Sequence, residues 1–369
     1  MADEQLVIAG AGIAGLALAA GLAHTGSSWR CRLLDERPAL GSTGGAITLW
    51  PAALAALDRL GAGDAVRAAA HPVGPGAIRT RGGRTLRTLD LPLLAVRRGE
   101  LVEILHAPLG PGDVAFGCAV TGYRRTAEGV RVLTAAGPLD ATALVGADGY
   151  RSQVARTLQP GLGERYAGYP AWRGLTRAAG LQPVQLWGER REFGVVPLDR
   201  GESYWFATLP EPAGGSVEDE LAHLRAAFAD WPDPVGRVLD AAEPGMVGRN
   251  DVMDRDRLRR WSDGPVVVLG DAAHPMRPNL GQGGGQALVD AALLAALLAP
   301  VPAGDGAGAA AAFAAFEGRR RRTVGRVVWA SRAAGRAVEA PAALHRLSAL
   351  VPDRLFLRGL AAVGVAVRG

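Results

Sequence analysis

Four short apolar runs, each followed by a turn rich in glycine or carboxylates, dominate the hydrophobic pattern of the chain. They occupy residues 6–9, 32–34, 144–147 and 266–269, and their length and flanking turn residues are typical of buried β-strands. Open α/β sheets bind their ligands beyond the carboxyl ends of the strands. The repeated glycine and carboxylate signals at these ends therefore predict one long ligand that is contacted at several places.

The first of these turns has the spacing of a dinucleotide-binding loop. Gly10, Gly12 and Gly15 follow the first predicted strand and open an alanine- and leucine-rich helix. In such a loop the first glycine makes the tight turn, the second leaves room for a pyrophosphate, and the third lets helix and strand pack closely. Asp35 ends the next strand, twenty residues after Gly15, and is predicted to hold an adenosine ribose, with Glu36 as the alternative.

A second glycine cluster follows the fourth apolar run. Gly281, Gly283, Gly284 and Gly285 precede an apolar helix predicted over residues 286–298. Glycines let the backbone approach a ligand closely, and the first amides of a helix are unpaired donors. The cluster therefore predicts a site for an electron-rich group, and the alternative is a flexible surface loop before a core helix.

The remaining pattern predicts the elements around these motifs. Arg98 precedes a helix, where an anion nearby would explain a cation at the helix start, and a solvated arginine is the alternative. The four arginines at residues 319–322 are typical of a solvated helix face, and the apolar segment at 355–367 is too short to span a membrane. We predict a loop at residues 44–50, helices at 51–60, 99–105 and 311–338, and antiparallel strands at 114–121, 129–134 and 139–144.

Charge and composition narrow the chemistry. The 369-residue chain has a net charge of +5 and a pI near 9.8, yet all 41 basic residues are arginine. A G/C-rich genome explains this bias, so no nucleic-acid partner is predicted, and a chain without lysine has no Schiff-base or P-loop lysine. With only Cys31 and Cys118, neither a disulfide framework nor a thiolate metal site is predicted. We expect a metal-free cytoplasmic protein, in which the uncharged residues 6–23 form strand, turn and helix rather than a membrane span.

Aromatic residues concentrate between residues 166 and 253, which predicts a second sheet that binds substrate. Most of these rings belong to a core, but some are expected to line a pocket. Strand alternation places Trp172 and Arg173 on opposite faces, so only one of them faces the ligand. Arg173 suits a phenolate or carboxylate and is preferred, whereas Trp172 would offer stacking. The other side chains predicted to line the pocket are Trp187, Phe193, Tyr204 and Trp205.

Together the motifs resemble those of the FAD-dependent aromatic hydroxylases, the class A single-component flavin monooxygenases with a para-hydroxybenzoate hydroxylase-like fold. The resemblance rests on the glycine loop at residues 10–15, V-G-A-D-G at 145–149, L-G-D-A-A-H-P at 269–275 and G-Q-G-G-G-Q at 281–286. It covers roughly residues 6 to 340. It implies an α/β fold with a Rossmann-like FAD-binding domain, a mixed-sheet substrate domain and C-terminal helices.

The resemblance also implies where the domains begin and end. The FAD-binding domain would be discontinuous and the substrate sheet would be inserted into it. The implied bounds are residues 1–72, 97–165 and 253–300 for the FAD-binding domain, 73–96 and 166–252 for the substrate domain, and 301–369 for a C-terminal helical segment.

The same family pattern implies which residues contact the cofactor. Asp271 matches an acid on the ribityl chain, Pro278 lies beside both the isoalloxazine and the substrate, and His274 is expected to be structural. The last position of the glycine loop, often asparagine in the family, is Gly285 here, so that side-chain contact is absent. The predicted cofactor contacts are Gly10, Gly12, Ala14, Gly15, Asp35, Glu36, Arg37, Arg98, Asp148, Gly149, Gly270, Asp271, Pro278, Gly281, Gly283, Gly284 and Gly285.

The implied activity is the insertion of oxygen into a ring. FAD, reduced by NADPH or NADH as a transient co-substrate, would capture O2 as a C4a-hydroperoxide and hydroxylate an electron-rich aromatic or polyketide-like small molecule. Arg173 and Tyr204 are the predicted catalytic residues. The alternatives are epoxidation or dehydrogenation on the same fold, and a flavin-binding protein without turnover. A monomer or homodimer is expected.

Overall fold

A computed structural model describes residues 4–41, 45–188, 190–338, 340, 351–355 and 358. Within them, three β-sheets and nine α-helices form the predicted α/β fold. The strands are β1 Glu4–Ala9, β2 Cys31–Asp35, β3 Ala46–Leu49, β4 His71–Pro72, β5 Gly76–Thr80, β6 Thr85–Leu89, β7 Leu94–Arg97, β8 Val114–Phe116, β9 Val120–Arg125, β10 Val130–Thr134, β11 Gly137–Gly146, β12 Glu164–Arg177, β13 Val184–Gly188, β14 Arg191–Pro197, β15 Glu202–Thr208, β16 Gly248–Arg255, β17 Ser262–Asp263 and β18 Val266–Val268. The helices are α1 Ile13–His24, α2 Pro51–Arg59, α3 Gly63–Ala69, α4 Arg98–His106, α5 Gln153–Leu158, α6 Glu220–Ala227, α7 Val235–Asp240, α8 Gly283–Leu298 and α9 Gly306–Val338.

The first sheet places the predicted ligand-binding turns at one edge. Its path runs β17-β18-β11-β1-β2-β8, and every neighbouring pair from β18 to β8 is parallel. The apolar residues of these strands are buried under α1 and α8, which pack against each other. Because the strands are parallel, the turns after β1, β2, β11 and β18 meet at the carboxyl edge of the sheet.

Two predicted strand boundaries in this sheet are corrected by the structure. The run at residues 114–121 divides into β8, which pairs with β2, and β9, which pairs with β10. The runs at 139–144 and 144–147 belong to one strand, β11, whose first half pairs antiparallel with β10 and whose second half pairs parallel with β1 and β18. The antiparallel excursion is therefore an extension of a central strand.

The second sheet has seven strands in the order β16-β12-β15-β14-β13-β5-β6. One of its faces carries large apolar side chains that pack against α6 and α7 and form a separate core. The other face is more polar and lies toward the first sheet. Strand alternation decides which side chain belongs to which face.

The strands β3, β7 and β4 form a small third sheet, in that order. The prediction of a loop at residues 44–50 is corrected here, because Ala46–Leu49 pairs with β7. The short run contains Ile47, Thr48 and Leu49, which favour strands, and the neighbouring glycines concealed that signal.

The long helix α9 packs against α8 and begins five residues earlier than predicted. Its arginine run is not wholly solvated, since Arg320 is 7% exposed and its Nε donates to Asp290 Oδ1 at 2.6 Å. Most of the predicted apolar segment at 355–367 lies outside the described residues. No helix in the described part of the chain combines the length and apolar character of a membrane span.

Candidate functional site

The glycine loop after β1 forms a cradle that side chains would fill. Gly10 has φ +100°, and a Cβ there would lie 2.4 Å from the carbonyl oxygen of Ala147. A Cβ at Gly15 would lie 2.0 Å from the carbonyl oxygen of Gly10, so helix α1 packs directly on the turn. A Cβ at Gly12, in contrast, would meet nothing within 4 Å. The open space before Gly12 and the first amides of α1 fit a phosphate group.

The carboxylate of Asp35 holds this loop through hydrogen bonds. Its Oδ2 accepts from the Ala11 amide at 2.7 Å, and both carboxylate oxygens accept from the Arg37 guanidinium at 2.8 Å. Burial alone would raise the pKa of Asp35, but the bonds from Arg37 and the Ala11 amide outweigh it and the pKa is lowered. Glu36 points to solvent. Asp35, the last residue of β2, is thus buried, whereas Glu36, the next residue, is exposed.

Charged groups from several elements converge between the two large sheets. The Arg98 side chain remains accessible, yet protein surrounds it in a concave space, and this desolvation lowers its pKa. The carboxylate of Asp271 opposes that shift, whereas the Arg173 guanidinium reinforces it. Tyr204 also lies close enough to act on Arg98. The structure therefore brings together one residue from α4, one from the turn after β18 and two from the substrate sheet.

The turn after β11 carries Asp148, a predicted cofactor contact whose carboxylate is bonded within the protein. Both carboxylate oxygens of Asp148 accept bonds at the start of α5, from Ser152 Oγ at 2.6 Å and from the Gln153 amide at 2.7 Å. Burial is the largest influence on this carboxyl and raises its pKa. Asp148 therefore caps a helix, and the open part of this turn is Gly149, where a Cβ would meet nothing within 4 Å.

Arg255 is a buried guanidinium that the sequence analysis missed. It is 3% exposed, and it donates to the carbonyl oxygens of Tyr150 at 3.0 Å and Ala272 at 2.6 Å. Burial lowers its pKa to about 10, against the opposing effect of Asp271. Arg255 thus ties the turn after β11 to the turn after β18. Arg255 ends a strand and belongs to no motif, so nothing in the sequence predicted its role.

A buried cluster of charged side chains holds the turn after β18. Asp290 of α8 is 0% exposed and accepts from the Gly270 amide at 3.0 Å, from His274 Nε2 at 2.5 Å and from Arg320. Burial would raise the pKa of Asp290, but the charges of His274 and Arg320 lower it to about 2. His274 is structural in this arrangement. The cluster fixes Gly270 and leaves the neighbouring Asp271 accessible.

The second glycine cluster packs closely at the start of α8. Gly281 has φ +60°, and a Cβ at Gly284 would lie 2.2 Å from Cδ1 of Ile47 on β3. A Cβ at Gly283 would lie 3.9 Å from Asp271 Oδ1, so the carboxylate stands beside the helix start. Nε2 of Gln282, which is 2% exposed, has no hydrogen-bond partner among the described residues. These donors fit the electron-rich edge of a planar cofactor.

The two faces of the seven-stranded sheet separate the predicted substrate contacts. Phe193 and Trp205 are 0% exposed and stack with ring centroids 5.9 Å apart in the core under α6 and α7. Trp172 is buried on the same face. The prediction that Phe193 and Trp205 line the pocket is therefore corrected, because alternation turns them toward the helices.

Arg173, Tyr204 and Trp187 occupy the opposite face. The Arg173 guanidinium lies close to the Tyr204 hydroxyl, since burial raises the pKa of that hydroxyl and Arg173 opposes the rise. The ring of Phe206 lies between the cation and the far end of the face, where it leaves no room for a side chain at Gly194. A flat ring bordered by a cation and a phenol is suited to holding an aromatic molecule.

Three further polar residues, all missed by the sequence analysis, join this face to the turn that carries Pro278. The Tyr169 hydroxyl donates to Asn279 Oδ1 at 3.1 Å, and Asn279 Nδ2 donates to Glu192 Oε2 at 3.2 Å. Glu192 is 1% exposed, and burial raises its pKa to about 7 against the opposing influences of Asn279 and Trp187. The only signal in the sequence was one acid within an apolar strand.

Comparisons with known proteins agree with this geometry. A family model described as an FAD binding domain matches residues 3–331. The aurachin C monooxygenase/isomerase of Stigmatella aurantiaca is 36% identical over 308 residues, covering 79% of this chain and 80% of that protein. The FAD-dependent urate hydroxylase of Klebsiella pneumoniae is 31% identical over 315 residues, with coverage of 79% and 81%. A crystal structure of Klebsiella pneumoniae HpxO with FAD and uric acid superposes with a TM-score of 0.88 at 27% identity, covering 98% and 97% of the two chains.

The family match spans most of the chain, and two relatives above 30% identity are covered over more than two thirds of their length. The cradle at Gly12, the converging charges around Arg98 and the donors at the start of α8 fit FAD. The chain therefore belongs to the FAD-binding monooxygenase family and is an FAD-dependent monooxygenase of the aromatic-hydroxylase type.

Proposed function

We propose that this enzyme uses NADPH or NADH and O2 to hydroxylate an electron-rich aromatic or heteroaromatic small molecule in the space between its two large sheets. The observation that carries the proposal is the convergence of Arg98, Asp271, Arg173 and Tyr204 on that space. Groups suited to a flavin would thus face groups suited to a ring, which supports the proposal. Relatives named for aurachin C, urate and 6-hydroxynicotinate support a ring that carries nitrogen or oxygen.

The cofactor would lie along the carboxyl edge of the first sheet. The loop at Gly10, Gly12 and Gly15 would accept the pyrophosphate, while Arg98 and the accessible carboxylate of Asp271 would hold the ribityl region. Asp35 and Arg37 keep the loop in shape, so we assign them a supporting role beside any contact with the ribose. When bound and reduced, FAD would supply the chemistry that activates O2 and transfers an electrophilic oxygen atom.

The start of α8 and the Pro278 turn would frame the ring system of the cofactor. Amides of Gly283, Gly284 and Gly285 and the side chain of Gln282 supply donors without requiring a charged residue. The residues around them are largely buried. Exclusion of water by this packing would protect the oxygenating state.

The substrate ring would rest against the polar face of the seven-stranded sheet. Arg173 would orient a phenolate, carboxylate or ring oxygen and stay paired with the Tyr204 hydroxyl. Trp187 would border the far end of this face, whereas Phe193 and Trp205, which face the core, would not contact the substrate. We assign residues 73–96 and 166–252 to substrate binding, with residues 1–72, 97–165 and 253–300 assigned to FAD.

Nicotinamide would visit the same site rather than a domain of its own, because the chain has one G-x-G-x-x-G motif. Asp148 caps α5, so a transient contact at this turn would use Gly149 and the exposed backbone.

The test is consumption of NADPH or NADH by FAD-loaded enzyme with a panel of phenols, quinolones and purines under ¹⁸O2. We expect at least one ring compound to accelerate oxidation and to gain one labelled oxygen atom, detected by mass spectrometry. Acceleration without label in any product would contradict hydroxylation, and a product that has lost two hydrogen atoms would identify dehydrogenation instead.

A further inference from the structure

A chain of hydrogen bonds that no sequence motif predicts attaches the turn carrying Pro278 to the substrate sheet. Tyr169 of β12 donates to Asn279, and Asn279 donates to Glu192 of β14. Asn279 is therefore held on both sides by strands of one sheet while its own turn leads into α8. We propose that Glu192 is a positioning residue: by accepting a hydrogen bond from Asn279, it fastens the Pro278 turn to the sheet and sets the separation of the cofactor and substrate walls.

Burial makes Glu192 an uncommon choice for this position. Transfer of a carboxyl group from water into protein costs free energy unless partners compensate it. One donor, Asn279 Nδ2 from the Pro278 turn, compensates Glu192 Oε2 at 3.2 Å, and Trp187, the cross-strand neighbour of Glu192, opposes the rise of its pKa. Glu192 does not touch solvent, so it acts on the site through Asn279.

The turn has other contacts as well, because it packs against α9 and Asn279 accepts from the Tyr169 hydroxyl. Its own backbone bond runs from the Gly281 amide to the Pro278 carbonyl oxygen at 2.7 Å. Arg277 pairs with Asp254 at 2.9 Å and lies over the Tyr169 ring at 5.8 Å, which anchors the first residue of the turn. The Glu192–Asn279 bond anchors its middle. Loss of that bond would therefore loosen Pro278 and its neighbours more than the sheet.

The charge of Glu192 links this attachment to pH. The charged groups beside the Pro278 turn are Arg277 and its partner Asp254, which also accepts from Arg332 of α9. None of them is among the causes of the shift of Glu192, which are burial, Asn279 and Trp187. Because burial raises the pKa to about 7, an opening that hydrates Glu192 favours the ionised form. The turn should therefore open more readily as pH rises from 6 to 8, by about tenfold.

This inference rests on the proposed function only in giving Pro278 a place beside the cofactor. The test is hydrogen–deuterium exchange of the FAD-loaded enzyme, comparing protection factors of the segment 277–282 at pH 6 and pH 8. In the unaltered enzyme we expect protection to fall about tenfold over this range. Glu192→Gln keeps an acceptor for Asn279 but has no ionisable group, so protection should match the pH 6 state at both pH values.

Glu192→Ala removes the acceptor, and its protection should be roughly 5- to 50-fold lower than that of Glu192→Gln at pH 6, the equivalent of one lost hydrogen bond to a buried partner. The matched control is Thr208→Val, because Thr208 is the cross-strand partner of Glu192 and is also buried. It should leave the segment protected.

Equal protection of the segment in Glu192→Ala and Glu192→Gln would overturn the proposal. So would an equal loss in Thr208→Val, which would indicate general weakening of the sheet. If the alanine variant fails to fold, the pH response of the unaltered enzyme and its absence in Glu192→Gln decide the question. The exchange result does not depend on finding a substrate, so it is separate from failure of the ¹⁸O2 assay.

Discussion

The two faces of the seven-stranded sheet are built from the same strands but hold opposite kinds of side chain. The face under α6 and α7 carries Trp172, Phe193 and Trp205, all fully buried. The face toward the first sheet carries Arg173, Tyr204 and Glu192. Large rings stabilise the sheet by burying apolar area on one side, which leaves charged and hydroxyl groups free to serve the ligand on the other. Aromatic content alone therefore does not separate core from pocket, because Tyr204, Phe206 and Trp187 lie on the polar face.

The largest effect should come from the core face. Phe193→Ala removes a ring that stacks on Trp205 and meets Phe228 edge-on with centroids 5.5 Å apart. We expect about 3–5 kcal/mol less free energy of unfolding, measured by urea denaturation, with normal flavin binding in the folded fraction.

Phe206→Ala is the matched control for that substitution, because it removes the same ring from the partly exposed opposite face. It should cost distinctly less stability. Equal losses would show that the two faces contribute alike.

Arg173→Ala should show the reverse behaviour. We expect kcat/KM to fall roughly 10- to 1,000-fold, about 1.4–4 kcal/mol, while the free energy of unfolding changes little and FAD content stays normal. Arg173→Lys should also be damaging because lysine lacks the planar fork, and peroxide released per NAD(P)H consumed should rise.

Arg177→Ala provides the control on the same strand, since Arg177 is exposed and pairs with Glu202 at 3.3 Å. Its turnover should be unchanged. If Arg173→Ala keeps the coupling and turnover of the unaltered enzyme, Arg173 would serve only a surface ion pair and would take no part in the reaction.

Glu192→Gln should change how stability depends on pH. The pKa of Glu192 is raised from 4.5 to about 7 in the folded protein, so its contribution is fully present below about pH 4.5 and is lost as pH rises through 7. The size of this loss is about 3 kcal/mol. Urea unfolding of the unaltered enzyme and the variant at pH 5, 6, 7 and 8 should give curves that diverge over this window. Parallel curves would mean that Glu192 is hydrated when folded.

Asp271→Ala concerns the wall opposite the polar face and should have a smaller effect. We expect FAD affinity to weaken by roughly 1.5–3 kcal/mol, the scale of a hydrogen bond to a charged group, in fluorescence titrations of apoenzyme. Glu36→Ala, at an exposed acid, should change it by less than about 0.5 kcal/mol. Unchanged FAD affinity in Asp271→Ala would reduce that carboxylate to a structural part of the turn.

The cofactor half was largely predictable from the sequence because its constraints are local. Gly10 and Gly15 are dictated by contacts within a few residues or one strand away, and these contacts leave a fixed spacing. The substrate half lacks such spacing. Alternation predicts that Trp172 and Arg173 face apart, but the choice of side depends on where α6 and α7 pack, far along the chain.

Buried polar residues were the least predictable part of the molecule. Arg320 belongs to a run that is typical of a solvated face, and Arg255 and Glu192 carry no motif. Their partners, such as Asp290 and Asn279, come from distant segments. Nothing in the local sequence distinguishes a charged side chain that will meet a buried partner from one that will meet water.

The two ends of segment 164–255 lie next to each other in the substrate sheet. Glu164, the first residue of β12, is the direct cross-strand partner of Arg255, the last residue of β16. Neighbouring strands lie about 5 Å apart, so the chain departs from the cofactor half and returns to it almost at the same point. Segment 164–255 is thus an insertion with adjoining ends, the arrangement in which one fold tolerates another within it. Changes within this segment therefore need not move the strands that carry the cofactor turns.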